Sequence, residues 1–296
     1  MAHAAALSGS TRSSSTHSSS TGDTPSFGAL LKSWRGTRKR SQLDLALEAG
    51  VSQRHLSFLE SGRAQPSRDM ILQLADVLEI PLREQNQLLH AAGFAPLYQE
   101  RGLDSADMAA VKQALEMTLR HHEPYPAVVV DRQWNLVLRN AAADRFIGLL
   151  GDAESVWRQV DPSGHQNVMR MTFHPAGMQP LLQNWEQTAT LLLSRLQREV
   201  TADPANAALR ALFDDICALP AIPAQWRNRV WNSVPPPILP LEIGMGAVSL
   251  KVFSMISTFG TALDVTADEL RVETFFPADD FSAQFFRTLA QGASAA

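Results

Sequence analysis

The chain is short of several things, and each shortage excludes a class. One cysteine, Cys217, stands among 296 residues. No disulfide framework and no cysteine-rich zinc site can form within one chain, and the compartment expected is a reducing one, the cytoplasm. No run of about 18 apolar residues occurs, so no transmembrane helix is expected. Positive charge is not in excess either. The 26 Lys and Arg against 30 Asp and Glu leave a net −4, which is not the balance of a protein that coats nucleic acid. Catalytic signatures are missing: no GxSxG elbow, no GxGxxG after a strand, no P-loop. His121 and His122 are adjacent and cannot share a helix face as metal ligands. His165 and His174 have no acidic or thiol pattern of zinc type beside them. Cys217, in DDICAL, reads as a buried inert thiol. Neither an enzyme, nor a metal, nor a cofactor is expected.

Residues 1–25 are Ser/Thr-rich and lack the apolar stretch of a secretory signal, so they read as a disordered tail. Residues 26–98 read as five short helices, the first from Phe27 to Arg35. At their centre lies SQLDLALEAG VSQRHLSFLESG. Ser41 and Asp44 have the spacing of a capping box. Leu43, Ala46 and Leu47 fall at i, i+3 and i+4 and are expected to share a face. Gly50 stands where a helix end needs positive φ. Ser52 caps the next helix, and Val51 and Leu56 are placed as a hydrophobic staple. Ser67 opens a fourth helix, Pro81 breaks it, and Leu82 to Ala92 forms a fifth. Two helices joined by so tight a turn fit the major groove of DNA.

The second helix of that pair, Gln53 to Glu60, leaves Gln53, Arg54, His55 and Ser57 facing out. Gln can pair with adenine and Arg with guanine. The alternative is a solvated polar helix face. Gln42 opens the preceding helix, where a side chain and backbone N–H groups can hold a phosphate. Between Ser26 and Pro66, seven Lys and Arg face three Asp and Glu, a local +4 on an acidic chain. Arg38 and Lys39 lie where a phosphate backbone would pass, and Arg63 joins the basic patch.

VSQRHLSFLESGRAQPS resembles the Xre/Cro-repressor class of helix-turn-helix, which implies a five-helix, lambda-repressor-like domain. By position, Gln42 resembles that class's phosphate-clamping Gln, and Gln53 the Gln that opens the recognition helix. Arg35 and Glu60 match a pair forming a structural salt bridge. A homodimer on a palindromic operator in double-stranded DNA is expected, because one helix-turn-helix reads few bases.

GFAPLYQERGLDS reads as a linker, its core at 99–105. Beyond it, residues 106–280 change character. Ala106 to Arg120 is helical. AVVVD and LVLRN form two apolar runs joined by RQWN, leading into a helix at Ala141. DPSGHQNVMRMTFHPAG reads as irregular. Helices follow over Gln179–Val200, Pro204–Ala218 and Ala224–Trp231. Leu239–Ile243, Ala247–Thr258 and Leu270–Phe276 have strand spacing, with Val248, Leu250 and Val252 on one face and Lys251 and Phe253 on the other. Residues 281–296 read as a C-terminal tail. The order β-β-helices-β-β-β is that of an α+β PAS-like domain with an antiparallel sheet.

With SQRHLSFLESGRAQPSRDM, LLHAAGFAPLY and NVMRMTFHPAGM in place, the chain resembles the MmyB-like transcription regulators over roughly Phe27 to Pro277. The resemblance implies a fatty acid or similar lipid as effector in the PAS-like domain. Val128, Val130, Trp134, Leu136, Phe146, Met169, Met171, Phe173, Met178, Trp185, Leu192, Phe253, Met255 and Ile256 are candidates to line an apolar pocket, or simply core. Arg170 and His174 are candidates to anchor a carboxylate, or structural partners of nearby helices; Asn140 and Asn167 are further candidates. Two readings remain open for this domain: a sensor of a small apolar ligand, or a ligand-free dimerisation or protein-docking module.

Overall fold

The computed structural model describes residues 25–226 and 238–292. The first 24 residues, expected as tail, lie outside them, as does most of the segment leading to Trp231.

Five helices form the N-terminal unit: α1 (Phe27–Thr37), α2 (Gln42–Glu48), α3 (Gln53–Glu60), α4 (Arg68–Val77) and α5 (Leu82–Ala91). Serines start four of them. Ser41, Ser52 and Ser67 each accept the backbone N–H three residues on at 3.1–3.2 Å, and Ser26 accepts that of Ala29. The Asp44 carboxylate returns to the Ser41 N–H, completing the capping box. Gly50 takes φ +62° in the turn between α2 and α3. Leu31, Leu45, Leu56, Leu59, Ile71 and Leu89 meet in the core, each at most 1 % exposed. The expected inward face of α2 needs correcting. Leu45 and Ala46 are buried, whereas Leu43 and Leu47 are 50 % and 72 % exposed. The helix presents i, i+1 and Ala49 to its neighbours, because α3 and α4 flank it on two sides. Gly28 fits α1 against the end of α3: a Cβ there would lie 2.5 Å from the Glu60 carbonyl oxygen.

The second unit is α+β. After α6 (Ala109–His121) come β1 (Ala127–Val130) and β2 (Leu136–Arg139). Six helices follow: α7 (Ala141–Gly148), α8 (Ala153–Val160), α9 (Val168–Phe173), α10 (Trp185–Ala202) and α11 (Ala207–Cys217), with α12 (Val265–Glu269) later in the chain. The remaining strands are β3 (Leu239–Met245), β4 (Val248–Thr258) and β5 (Arg271–Pro277), and α13 (Asp280–Gly292) ends the described chain. The strands form one antiparallel sheet in the order β2-β1-β5-β4-β3.

Strand alternation sorts its two faces. Val128 and Val130 join Phe173, Leu193, Leu196 and Leu212 beneath α10 and α11. Ala127 and Val129 pack with Leu115 and Leu119 of α6 on the other face. The stretch expected to be irregular contains α9, capped by Asn167 and closed on the core by Met169, Met171 and Phe173. The expected C-terminal tail is instead α13. Its Phe286 is 2 % exposed and packs under β4, and the Ser282 hydroxyl accepts the Lys251 N–H at 2.8 Å.

Candidate nucleic-acid interface and ligand cavity

The candidate recognition surface lies on α2 and α3. Gln53 and Arg54 are exposed in the first turn of α3; His55 and Ser57 are half-buried behind them. The Arg54 guanidinium lies 5.3 Å from the centroid of Phe58, one turn on, and that of Arg63 lies 5.9 Å from the same ring. Phe58 thus supports two arginines, one from the first turn of α3 and one from just past its end. It was not among the sequence candidates, although an aromatic at i+4 from Arg54 was a visible signal. The Arg35 guanidinium donates to both oxygens of Glu60, at 2.6 and 3.0 Å, and to the Arg40 carbonyl at 2.9 Å. Gln42 donates to the same carboxylate at 2.7 Å, which fixes its side chain at the start of α2. Burial pushes the Glu60 carboxyl up, but the hydrogen bonds from Arg35 and Gln42, with the charges of Arg35 and Lys32, hold it below its ordinary range.

Arg38 departs from expectation. Its Nε and one terminal nitrogen donate to the carbonyls of Leu78 and Glu79, both at 2.7 Å, and the other reaches the Ala202 carbonyl at 3.3 Å. It also lies 5.4 Å over the Trp34 ring. Its donors close the end of α4 and touch the end of α10, so it is not free to hold a phosphate. Lys39 is exposed at φ +53° and lines the same groove between α1 and α10.

In the second unit a cavity of about 110 Å³ lies between the sheet and α7, α8, α9 and α13. Val128, Leu136, Phe146, Met171 and Met178 of the sequence candidates line it. Trp157, Val168, Thr172, Ile243, Val252, Phe275 and Phe286 line it too and were missed. No charged side chain is among its lining residues.

The other candidates lie elsewhere, each for a local reason. Val130 and Met169 are core beneath α10. Phe173 is buried edge-on to Trp185, with ring centroids 5.6 Å apart, so both belong to the core beside the cavity. Trp134 donates to Glu199 at 2.9 Å and is covered by Arg195 and Arg271. Phe253 stacks on Phe276, and Met255 is 52 % exposed. Both occupy the outer parity of β4, opposite Leu250 and Val252. Leu192 and Ile256 pack in or against the main core. Arg170 pairs with Asp215 at 2.5 Å and faces Asp161 at 3.7 Å. His174 accepts the Ala176 N–H through Nδ1. Neither side chain lines the cavity. Asn140 and Asn167 are helix caps that also hold nearby backbone or side-chain oxygens.

The two units meet at a charged seam. Arg132, in the β1–β2 turn and 8 % exposed, pairs with Glu84 of α5 at 3.1 Å, with Glu269 of α12 at 2.8 Å, and with Asp203 at the end of α10. Arg83 of α5 adds bonds to Glu269 at 2.7 Å and Glu100 at 2.5 Å. One oxygen of Glu84 and one of Asp203 are buried with no hydrogen-bond partner. The segment expected as a linker is held down as well. Gln99 bridges Asp264, and Arg101 pairs with Asp264 at 3.1 Å.

Among the described residues, no group of His, Cys, Asp or Glu is arranged to hold a metal ion, and no helix is long and apolar enough to cross a membrane. A family model described as the MmyB-like transcription regulator ligand binding domain matches residues 111–289. A helix-turn-helix model matches residues 31–85. Both describe regulators rather than enzymes. No curated protein is significantly similar to the chain.

Proposed function

The chain belongs to the MmyB-like transcription regulators, and we propose that it is a homodimeric, cytoplasmic, sequence-specific regulator whose DNA affinity is set by a small apolar effector in the cavity of its second domain. The observation that carries the effector is the cavity itself: about 110 Å³ lined by apolar side chains of the sheet and four helices. A fatty acid, the effector the resemblance implies, suits this lining by its chain only.

On the DNA side, Gln53 and Arg54 read bases, with Arg54 and Arg63 supported on Phe58, and His55 and Ser57 stand behind them. Gln42 and the first-turn N–H groups of α2 hold a phosphate. Lys39 contributes general attraction to the phosphate backbone. Two-fold symmetry would set two such surfaces on a palindromic operator.

A ligand shifts DNA binding only if it prefers one arrangement of the molecule over another. The seam of Arg132, Arg83, Glu84, Asp203 and Glu269 is the element that both domains contact, and it carries the signal together with the strapped segment Gln99–Arg101. The test is native mass spectrometry of the purified protein with extraction of any released molecule, followed by DNA binding to a selected operator with and without that molecule. A stoichiometric apolar ligand that changes operator affinity supports the reading. A dimer that is empty, takes up no apolar probe and binds its operator regardless favours a dimerisation module.

A further inference from the structure

A groove of about 480 Å³ lies where the two units meet, between the end of α1 and the outer side of α10. Its α10 wall is Ser194, Gln197, Arg198 and Thr201, spaced at i, i+3, i+4 and i+7 so that they share a face. Thr37, Arg38 and Lys39 form the other wall, and no Asp or Glu is among the lining residues. Arg38 is occupied by the carbonyls of Leu78, Glu79 and Ala202. Lys39 and Arg198 are exposed, and among the described residues neither pairs with a carboxylate. The Arg198 guanidinium donates to the hydroxyl of Ser194, itself 5 % exposed, at 2.8 Å, which ties it to the groove wall. Arg195 of the same helix instead pairs with Glu199. Cations gathered with no acid between them are the electrostatic footprint of an anion. The backbone of Lys39 adds a second observation. It takes φ +53°, the left-handed conformation that follows a helix end and that glycine adopts without strain. Gly50, Gly62 and Gly93 fill that place after α2, α3 and α5, and Glu79 after α4. Strain of this kind collects at functional sites. Lys39 also lies three residues before Gln42, which the reading above assigns to a backbone phosphate. A strand held there carries further phosphates on either side.

We propose that the groove holds a phosphate of the DNA backbone flanking the operator, gripped by Lys39 of the helical unit and Arg198 of the second domain, with the Gln197 amide as a further donor. This rests on the DNA-binding reading above and adds the second domain to the interface. Because both units supply the contact, an effector that moves α10 relative to α1 changes DNA affinity at the groove itself.

The test uses the full chain and two duplexes carrying the same selected operator. One ends at the operator's edges, and the other is extended by about ten base pairs, one helical turn, on each side. Affinity is measured between about 50 and 200 mM salt. The unsubstituted protein should bind the long duplex more tightly and with the steeper salt slope. Arg198→Ala should lose affinity for the long duplex several-fold, lower its salt slope by about one for each protomer bound, and leave the short duplex unchanged. Arg198→Lys should keep most of the long-duplex affinity. Arg210→Ala, which removes an exposed arginine of α11 that lines no part of the groove, should change neither duplex. Lys39→Gly should weaken the long duplex as Arg198→Ala does, yet raise the melting temperature by relieving the strained φ. Unchanged affinity and slope of Arg198→Ala on the long duplex overturn the proposal and leave the DNA-binding reading standing. A loss on both duplexes without a change of slope is a structural effect and overturns it too. If inorganic phosphate raises the melting temperature of the unsubstituted protein but not of Arg198→Ala, while DNA binding is the same in both, the groove is a small-anion site instead. If the unsubstituted protein binds neither duplex, the DNA-binding reading falls and this inference with it.

Discussion

Arg35 and Arg132 each hold buried carboxylate, yet they do so in opposite ways. Arg35 lies within the helical unit and meets one acid, Glu60, with two N–H groups; Gln42 completes the set. Arg132 lies between the units and is shared by three acids, two of which keep an oxygen with no partner. The first network is satisfied and fixes one geometry, which holds the Gln42 side chain at the start of α2. The second is rich in acid, so its cation is essential, and Glu84 and Asp203 are under-compensated. A junction of that kind holds two domains together while remaining sensitive to small displacements of any member.

The sharpest way to break this contrast is Arg132→Ala. Removing the cation leaves buried carboxylates unpaired and should cost about 3–5 kcal/mol, seen in chemical denaturation and in faster proteolysis near Gln99. Glu84→Gln should do far less, under about 1 kcal/mol, because it relieves the excess of acid. A loss at Glu84→Gln as large as that at Arg132→Ala would mean that the seam is as fully matched as the Arg35 network.

Next in size is Arg35→Ala, expected to cost about 2–3 kcal/mol through the loss of charge-assisted bonds to Glu60. Its melting temperature should fall, with DNA affinity following only where the helical unit has begun to unfold. Weakened DNA binding at unchanged stability would move Arg35 from scaffold to interface.

The two networks also differ in how far the sequence reveals them. Caps are local, so Ser41, Asp44, Ser52 and Gly50 mark α2 and α3 within a few residues, and the Arg35–Glu60 pairing followed from family resemblance. Strand alternation in AVSLKVFSMIST separates Leu250 and Val252 from Phe253 and Met255. It does not say which set faces the cavity, since parity is given meaning only by the sheet's partners. That is why Met255 was a lining candidate and Phe286, in a helix read as tail, was not. Arg38 sits in a basic run that suggests phosphate. The carbonyls of Leu78, Glu79 and Ala202 that occupy it come from 40 or more residues away, and no local pattern announces them. Leu43 and Leu47 fit a helical stripe, but a helix flanked on two sides buries Leu45 and Ala46 instead.

Among smaller effects, the recognition surface should separate reading from attraction. Gln53→Ala or Arg54→Ala should each cost about 1–3 kcal/mol of operator binding and relax base preference. Lys39→Ala should weaken all sequences alike and flatten the salt dependence. Arg38→Ala should now differ from Lys39→Ala and register mainly as lost stability. An Arg54 variant that retains full sequence preference would assign base reading to another residue.

The mildest contrast is in pH. Glu60 is held below its ordinary value of 4.5, so its contribution to stability is complete above that pH and is lost as pH falls through the lower folded-state value. Glu273, on β5 and 6 % exposed, is shifted the other way. Burial raises it, and neighbouring Glu199 adds to the shift, against the pull of a Ser254 hydrogen bond and Arg195. The folded protein then keeps a proton that the unfolded chain releases above about pH 4.5, so this group's contribution declines as pH rises until the folded carboxyl itself ionises. Glu273→Gln should therefore raise the melting temperature at pH 8 more than at pH 4, whereas Glu60→Gln should lower it at pH 8 more than at pH 4. Thermal melts of both variants at the two pH values decide it, and parallel responses would mean that Glu273 is ionised in the fold and held by Arg195 much as Glu60 is held by Arg35.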